Sequence, residues 1–326
     1  MFYKTIFLNI LFYIFQANFA KKLAFKKFFD IFIKRFMETR DITIASFGAI
    51  VWDVYPGEKI LGGAPLNFAY FCAELGAKAK IISAVGDDEL GKEALSLIEK
   101  INVDSGCVSI CPNAPTGRVD VKMHDNGIPS YHIVSPSSWD FIDSSENTIE
   151  AAKNSNAFAY GTLSQRSGES RAALKKILAA LPASCLKICD VNLRAPYYTY
   201  EIVESSISGA DILKINDDEL EVLTAVLNLD GGDIQTRAQT ILERYNLRHL
   251  LLTCGPKGYM VLSANEAPVF GGGGKIKIVD TVGAGDSFTA AFTVNILAGK
   301  NVEESARAAD TLAEEVCSRR GAINIQ

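Results

Sequence analysis

The chain has 326 residues, with 33 basic against 38 acidic side chains and a formal net charge of −5. Hydrophobic residues make up 48% and charged residues 22%, a balance that excludes a disordered chain, and the acidic sign argues against general nucleic-acid binding. Seven cysteines without a C-x-x-C pair, and three scattered histidines without H-E-x-x-H, argue against a disulfide scaffold and leave little for a zinc site. They fit a reducing compartment.

Residues 1–40 differ from the rest. They hold eight Lys/Arg against two acids, a net of +6, which leaves −11 for residues 41–326. Three readings compete: a signal peptide with its apolar region at 6–15, an amphipathic surface helix over 21–35, or a start placed too early, with Met37 as initiator. The apolar run is too short for the roughly 20 residues that span a bilayer, so no membrane partner is expected. The segment is set aside as an N-terminal extension to a body over 41–326.

From residue 42 onward, apolar runs alternate with helical patterns. Strands are expected at 42–47, 80–85, 157–160, 186–191, 212–215 and 249–253. Helices are expected at 68–75, 90–101, 171–180, 202–208, 217–227, 234–245, 287–297 and 302–317. That alternation predicts a three-layer α/β/α fold with a mostly parallel central sheet. One stretch breaks it. Residues 118–123 alternate polar and apolar, Asp125-Asn126-Gly127 offers a turn, and 130–134 alternate again, so a hairpin with one polar face is expected. With a short strand at 51–55 it is expected to form a small projecting β-sheet, built from pieces near 51–62 and 115–135, which serves as a lid or a dimer contact or is a decorative insertion.

Four loops carry chemistry. Gly62-Gly63-Ala64-Pro65-Leu66-Asn67 follows Asp53; a carboxylate, an amide and open backbone suit a polyhydroxylated ligand, or the loop is merely tight with a capping Asn. Asn216-Asp217-Asp218-Glu219 ends a strand and opens a helix, as a capping box or as a holder of Mg²⁺ through water. Thr253-Cys254-Gly255-Pro256-Lys257-Gly258 is a β-turn or a nucleotide-phosphate loop. Gly271–Gly274 before Lys275 is no Walker motif, because Ile276 stands where Ser or Thr is required. In Asp280-Thr281-Val282-Gly283-Ala284-Gly285-Asp286, three small residues turn N–H groups toward one point at a helix start, where an anion is attracted. Asp286 beside that point either caps the helix or takes a proton from an attacking hydroxyl.

In this order and spacing the motifs resemble the ribokinase-like (PfkB) family of carbohydrate kinases. One signature is matched by Gly62, Gly63, Asn67, Gly76 and Gly86, and the D-T-x-G-A-G-D signature by residues 280–286. N-x-x-E is matched by Asn216 and Glu219, and T-x-G-x-x-G by Thr253, Gly255 and Gly258. The resemblance covers residues 42–323. Softer stretches around Trp52-Asp53, Pro115-Thr116-Gly117, Trp139-Asp140, Ser164-Gln165-Arg166 and Asp190–Arg194 make the chain most similar to bacterial fructokinases within it.

The resemblance implies transfer of the γ-phosphate of ATP to a sugar hydroxyl. Asp286 is then the base, with an anion hole from Gly283, Ala284 and Gly285. Asp53, Gly63, Asn67 and Arg166 meet the sugar, and Arg194 lies near phosphate or sugar. Asn216 and Glu219 order Mg²⁺ and its waters, while Thr253, Gly255 and Gly258 cradle the nucleotide. Asp280 and the Val282 carbonyl match the positions of a monovalent cation such as K⁺. A cytoplasmic enzyme is expected, with the lid sheet as the candidate contact of a homodimer. Rival readings are a kinase for ribose, 2-keto-3-deoxygluconate or a nucleoside, and a catalytically idle sugar-binding regulator.

Overall fold

The structure, a computed structural model, describes residue 39 and residues 41–123, 129–274 and 276–324. The three readings of the N-terminal segment, the hairpin's Asp125-Asn126-Gly127 turn and Lys275 lie outside the described residues.

Chain order places β1 (Thr43–Phe47), β2 (Val51–Tyr55), β3 (Glu58–Gly62), α1 (Ala64–Glu74), β4 (Lys78–Gly86), α2 (Glu89–Lys100), β5 (Val103–Cys111), β6 (Gly117–Met123) and β7 (Pro129–Ile133) first. Then come α3 (Glu146–Lys153), β8 (Ala157–Gly161), α4 (Gly168–Ala180), β9 (Leu186–Asp190), α5 (Tyr200–Ser208), β10 (Ile212–Asn216) and α6 (Asp217–Val226). The chain closes with α7 (Ile234–Arg244), β11 (His249–Thr253), β12 (Tyr259–Ser263), β13 (Val269–Gly271), α8 (Ala284–Leu297) and α9 (Val302–Cys317).

Nine strands form the main sheet in the order β13-β12-β11-β10-β9-β8-β1-β4-β5. All neighbours run parallel except β11–β12 and β12–β13. Alternation of side chains splits the core into two layers. Ile44 and Ile81 face one layer with Phe71, Phe288 and Phe292. Ala45, Phe47 and Ile82 face the other, with Leu174, Val203, Leu220 and Ile241. Each fully buried Ile, Leu, Val or Phe contributes about 1.5–3 kcal/mol, and the central strands are buried on both faces, as parallel strands are.

Strand order reverses at β1, which pairs with β8 on one side and β4 on the other. In open α/β sheets the crevice beyond the carboxyl ends of strands at such a reversal is where ligands bind. Asp190, Asn216 and Thr253 are the last residues of β9, β10 and β11.

A second, smaller sheet, in the order β3-β2-β6-β7, is built from the pieces expected near 51–62 and 115–135 and is called the lid sheet below. The hairpin pairs Val119 with Ile133 and Val121 with Tyr131, and β6 runs parallel to β2. Lys59 pairs with Glu93 of α2, Arg320 holds Glu58 at 2.6 Å, and Tyr197 Oη donates to the Ile133 carbonyl at 3.5 Å. These contacts tie the lid to the body at three points. Among the described residues no helix is long and apolar enough to cross a membrane.

Candidate active site

Nine α-helices start among the described residues, and seven have an N-terminal side-chain cap: Asp88, Ser145, Ser167, Thr199, Asn216, Asp233 and Asn301. The other two start at Gly63 and Gly283 without a side-chain cap. The fold brings these two together. Asn67, one turn into α1, donates from Nδ2 to Asp286 Oδ2 of α8 at 2.8 Å, across 219 positions of sequence.

Both glycines are required by their surroundings. Gly63 has φ 109°, and a Cβ there would strike the Ala49 carbonyl. Gly283 has φ 83°, and a Cβ there would run into Ala322. Positive φ and close backbone approach both exclude a side chain at these positions. Of the expected anion-hole donors, Ala284 N–H is taken by the Thr281 carbonyl at 3.2 Å. Among the described residues no acceptor takes Gly283 N–H or Gly285 N–H.

Asp286 sits in the first turn of α8 but makes no capping bond, so the capping alternative is not what the geometry forms. Burial, then the nearby Asp190 carboxylate, pushes its pKa up to about 7; the Asn67 hydrogen bond, Lys214 and Arg194 oppose that rise. Asp53, on the lid strand β2, lies beside the same pocket. Gly62 is the link: a Cβ there would sit 3.6 Å from Asn67 Oδ1 and 3.9 Å from Asp53 Oδ2. Burial pushes Asp53 up to about 6, with Arg194 opposing and Asp280 adding to the rise. Asn67 itself is buried, and its Oδ1 has no hydrogen-bond partner. A buried amide oxygen left open at such a place is an acceptor waiting for a ligand hydroxyl.

Asn216 and Glu219 form the capping box. Asn216 Oδ1 accepts from Glu219 N–H at 2.7 Å and Glu219 Oε2 accepts from Asn216 N–H at 2.8 Å. Glu219 Oε1 also accepts from Leu193 N–H at 3.0 Å, tying α6 to the segment after β9. Thr253 is in register with Asn216 on the neighbouring strand. Behind it, Gly255 (φ 51°) and Gly258 (φ 95°) fold the loop so that a Cβ on Gly258 would meet the Gly271 carbonyl. Lys257 reaches Asp217 at 3.3 Å, so the N-x-x-E and T-x-G-x-x-G segments are adjacent.

Asp280 holds its own loop: Oδ1 accepts from Val282 N–H at 3.1 Å and Oδ2 from Gly321 N–H at 2.9 Å. Arg194 is exposed, with Nη1 donating to the Leu193 carbonyl, and its charge acts on Asp53, Asp190 and Asp286 alike. Arg166 is bound elsewhere. Its Nε and Nη2 grip Asp140 at 2.8 Å, Nη2 also donates to the Val134 carbonyl, and the guanidinium stacks 3.8 Å from the Trp139 ring centre. Its Nη1 is buried without a partner.

One charged group of the site, Lys214, escapes the motif reading. Lys214 lies in the middle of the buried strand β10, with Nζ 3.4 Å from Asp190 Oδ1. The signal was present: a lysine inside the apolar run 212–215 needs a buried counter-charge.

An open helix start next to a carboxylate suits transfer of an anionic group to a hydroxyl. Comparison with known proteins gives that class a family. The chain belongs to the PfkB family of carbohydrate kinases, whose model matches residues 41–326. It is 31% identical to a probable fructokinase-5 of Arabidopsis thaliana over 276 residues, 78% of this chain and 82% of the relative. It is 29% identical to fructokinase-2 of Solanum lycopersicum, covering 82% and 86%. An uncharacterized sugar kinase from Pyrococcus horikoshii, solved in complex with ATP, is 27% identical with a TM-score of 0.71, covering 86% and 93%. A fructokinase from Vibrio cholerae, solved with fructose, ADP and calcium, shares the fold at 20% identity and a TM-score of 0.75, covering 88% and 96%. The chain is thus a sugar kinase, a phosphotransferase with an alcohol acceptor.

Proposed function

We propose that this kinase phosphorylates fructose with ATP, and that Asp286 is its base. The observation that carries the reading is the Asn67–Asp286 hydrogen bond, which joins the two helix starts that lack side-chain caps. A base works best with a pKa near the operating pH, and a carboxyl raised to about 7 meets that condition. Asp286 takes the proton of the attacking hydroxyl as the oxygen turns toward the phosphoryl group. The free N–H groups of Gly283 and Gly285 then meet the charge on the transferring group, with Ala284 fixing the turn.

Asp53, the open Asn67 Oδ1 and the backbone at Gly63 hold the sugar hydroxyls. Arg194 supplies positive charge at the mouth. Arg166 supports the sugar site from behind, by fixing Trp139 and the end of the lid hairpin. Thr253, Gly255 and Gly258 hold the nucleotide with Asn216. The described residues gather no group of three metal-ligating side chains. Mg²⁺ fits as an ion carried on the nucleotide phosphates and met through water by Glu219, whose buried carboxylate stands at the start of α6 beside the end of β10. When bound, it neutralises phosphate charge. Asp280 and the Val282 carbonyl suit a monovalent cation such as K⁺ beside the same loop.

The lid closes over the sugar and excludes water, the competing acceptor. All seven cysteines are free, which supports a cytoplasmic enzyme. Residues 1–40 precede the stretch that the family model matches, 41–326, although Thr39 is buried and donates from Oγ1 to the Leu75 carbonyl at 3.1 Å. The lid sheet is the candidate contact of a homodimer.

The test is a phosphorylation screen against fructose, ribose, 2-keto-3-deoxygluconate, adenosine and fructose 6-phosphate. Fructose is expected to give the highest kcat/KM. Preference for the nucleoside would overturn the assignment. A nearby reading, another sugar kinase of the family, is favoured by the Pyrococcus horikoshii relative and is decided by the same screen.

A further inference from the structure

Lys214 is a charge in an apolar place. It is 7% exposed, and its strand neighbours Leu213 and Ile215 are fully buried in one core layer while Ile212 lies in the other. An ammonium in such a setting is tolerated only with counter-charge. Its ion-pair partner is Asp190, the last residue of the adjacent strand β9, at 3.4 Å. Both side chains are largely withdrawn from solvent, at 8% and 17% exposure. The ammonium also lies against the backbone of α8. A Cβ built on Gly285 would stand 2.9 Å from Lys214 Nζ and 3.2 Å from Cε. A side chain on Gly285 would have to push the lysine head aside.

We propose that Lys214 and Asp190 are positioning residues that set the charge on Asp286 and fix the backbone at Gly285, an inference that rests on Asp286 being the base. The groups that act on this centre come from every side. Asp190 faces it from β9, Arg194 from the segment after β9, Lys214 from β10, Glu219 from α6 and the uncharged Asn67 from α1. Burial opposes the charge on Lys214, but Asp190, Glu219 and Asp286 together outweigh it and raise its pKa, so it stays protonated. Asp190 pushes Asp286 toward the protonated form and Lys214 pulls it toward the ionised form. The pair thus holds the carboxylate in balance, with opposite signs from its two members.

Opposite signs are the testable feature. Wild type, Lys214→Met, Asp190→Asn and Asp286→Asn are assayed for kcat and KM between about pH 5 and about pH 10. Lys214→Met removes the cation, so the acidic limb of kcat is expected to move up by about one pH unit or more, with activity recovering at the alkaline end. Asp190→Asn leaves the cation and removes the repelling carboxylate, so the limb is expected to move down. Gly285→Ala, whose Cβ displaces the ammonium, is expected to move it up. A larger KM for ATP in Lys214→Met with the limb in place would make Lys214 a phosphate ligand and overturn the proposal. So would shifts of the same sign in Lys214→Met and Asp190→Asn, or an equal loss at every pH in a folded Lys214→Met.

If Lys214→Met fails to fold, Asp190→Asn and Gly285→Ala decide the matter, because they too must move the limb in opposite directions. Asp286→Asn separates this inference from the one beneath it. An active Asp286→Asn enzyme with a wild-type limb defeats the base assignment. An inactive one, with unmoved limbs in the other variants, defeats only the role of Lys214 and Asp190.

Discussion

The helices α6 and α8 begin at the same edge of the sheet with acidic first turns, yet they solve the helix-start problem in opposite ways. The first four N–H groups of any helix lack an intrahelical partner. At α6 the chain supplies partners from within: Asn216 and Glu219 bond each other's N–H groups, and Glu219 takes that of Leu193 as well. At α8 a left-handed glycine stands where a capping side chain would be, and the acidic residue of the first turn faces Asn67 of another helix. The first arrangement is closed and stabilising. The second leaves donors for an anion and a carboxylate raised to about 7. An acidic residue near a helix start therefore does not mean a cap; what decides is whether its oxygens return to the helix's own N–H groups.

The comparison breaks most sharply at Asp286. Asp286→Asn keeps the shape and can still accept from Asn67, so the fold is expected to survive while kcat falls at least about a hundredfold. Stability carries a second sign. Asp286 has a folded pKa of about 7 against the ordinary carboxyl value of 3.8, so the native state binds its proton more tightly than the unfolded state. Its stabilising contribution is complete below about pH 4 and is lost as pH rises through 7. Asp286→Asn is therefore expected to melt higher than wild type near pH 8 and alike near pH 4, by calorimetry. Equal loss of stability and activity would instead make Asp286 a cap.

Gly283→Ala tests the open start itself. The added methyl meets Ala322 and the backbone keeps a positive φ. A loss of about 1–3 kcal/mol in stability is expected, with about a tenfold fall in kcat as the donors are displaced. Full activity in this variant would show that the loop's geometry is not what serves transfer. The smallest effect belongs to the closed start. Asn216→Ala removes one cap at about 1 kcal/mol, a drop of a few degrees in Tm, with KM for ATP rising more than kcat falls. A kcat loss as large as that of Asp286→Asn would erase the distinction between the two helix starts.

Much of this was legible in the residues. Apolar runs marked β1, β4, β8, β9, β10 and β11 to within two or three residues, because each is buried on both faces and needs continuous hydrophobicity. The polar edge strand β5 was missed, since its alternating burial over Val103–Cys111 carries weak apolar signal. So was β12, fully buried but antiparallel to β11 and close behind its turn. The short helix α3 was missed because it offers few buried positions, Thr148 and Ala152.

At the site, glycine spacing revealed where the backbone must bend or crowd, and Asn67, Asp53 and Asp286 were chosen from it. The partners of these residues were not visible. Motif spacing cannot say that Asn67 and Asp286 touch across 219 positions, or that Lys214 fills the space behind Gly285. Nor can it say that Arg166 binds Asp140 between two aromatic rings.

The sequence by itself determined the layers and the small second sheet, and its motifs carried the resemblance to the family, because periodicity, glycine placement and motif spacing are local properties written along the chain. The tertiary structure alone decided which charges meet. Ionisation, burial and hydrogen bonding depend on distances between strands and helices far apart in sequence. Only packing β9, β10, α1 and α8 at one sheet edge brings Asp190, Lys214, Asn67 and Asp286 to within reach of one another.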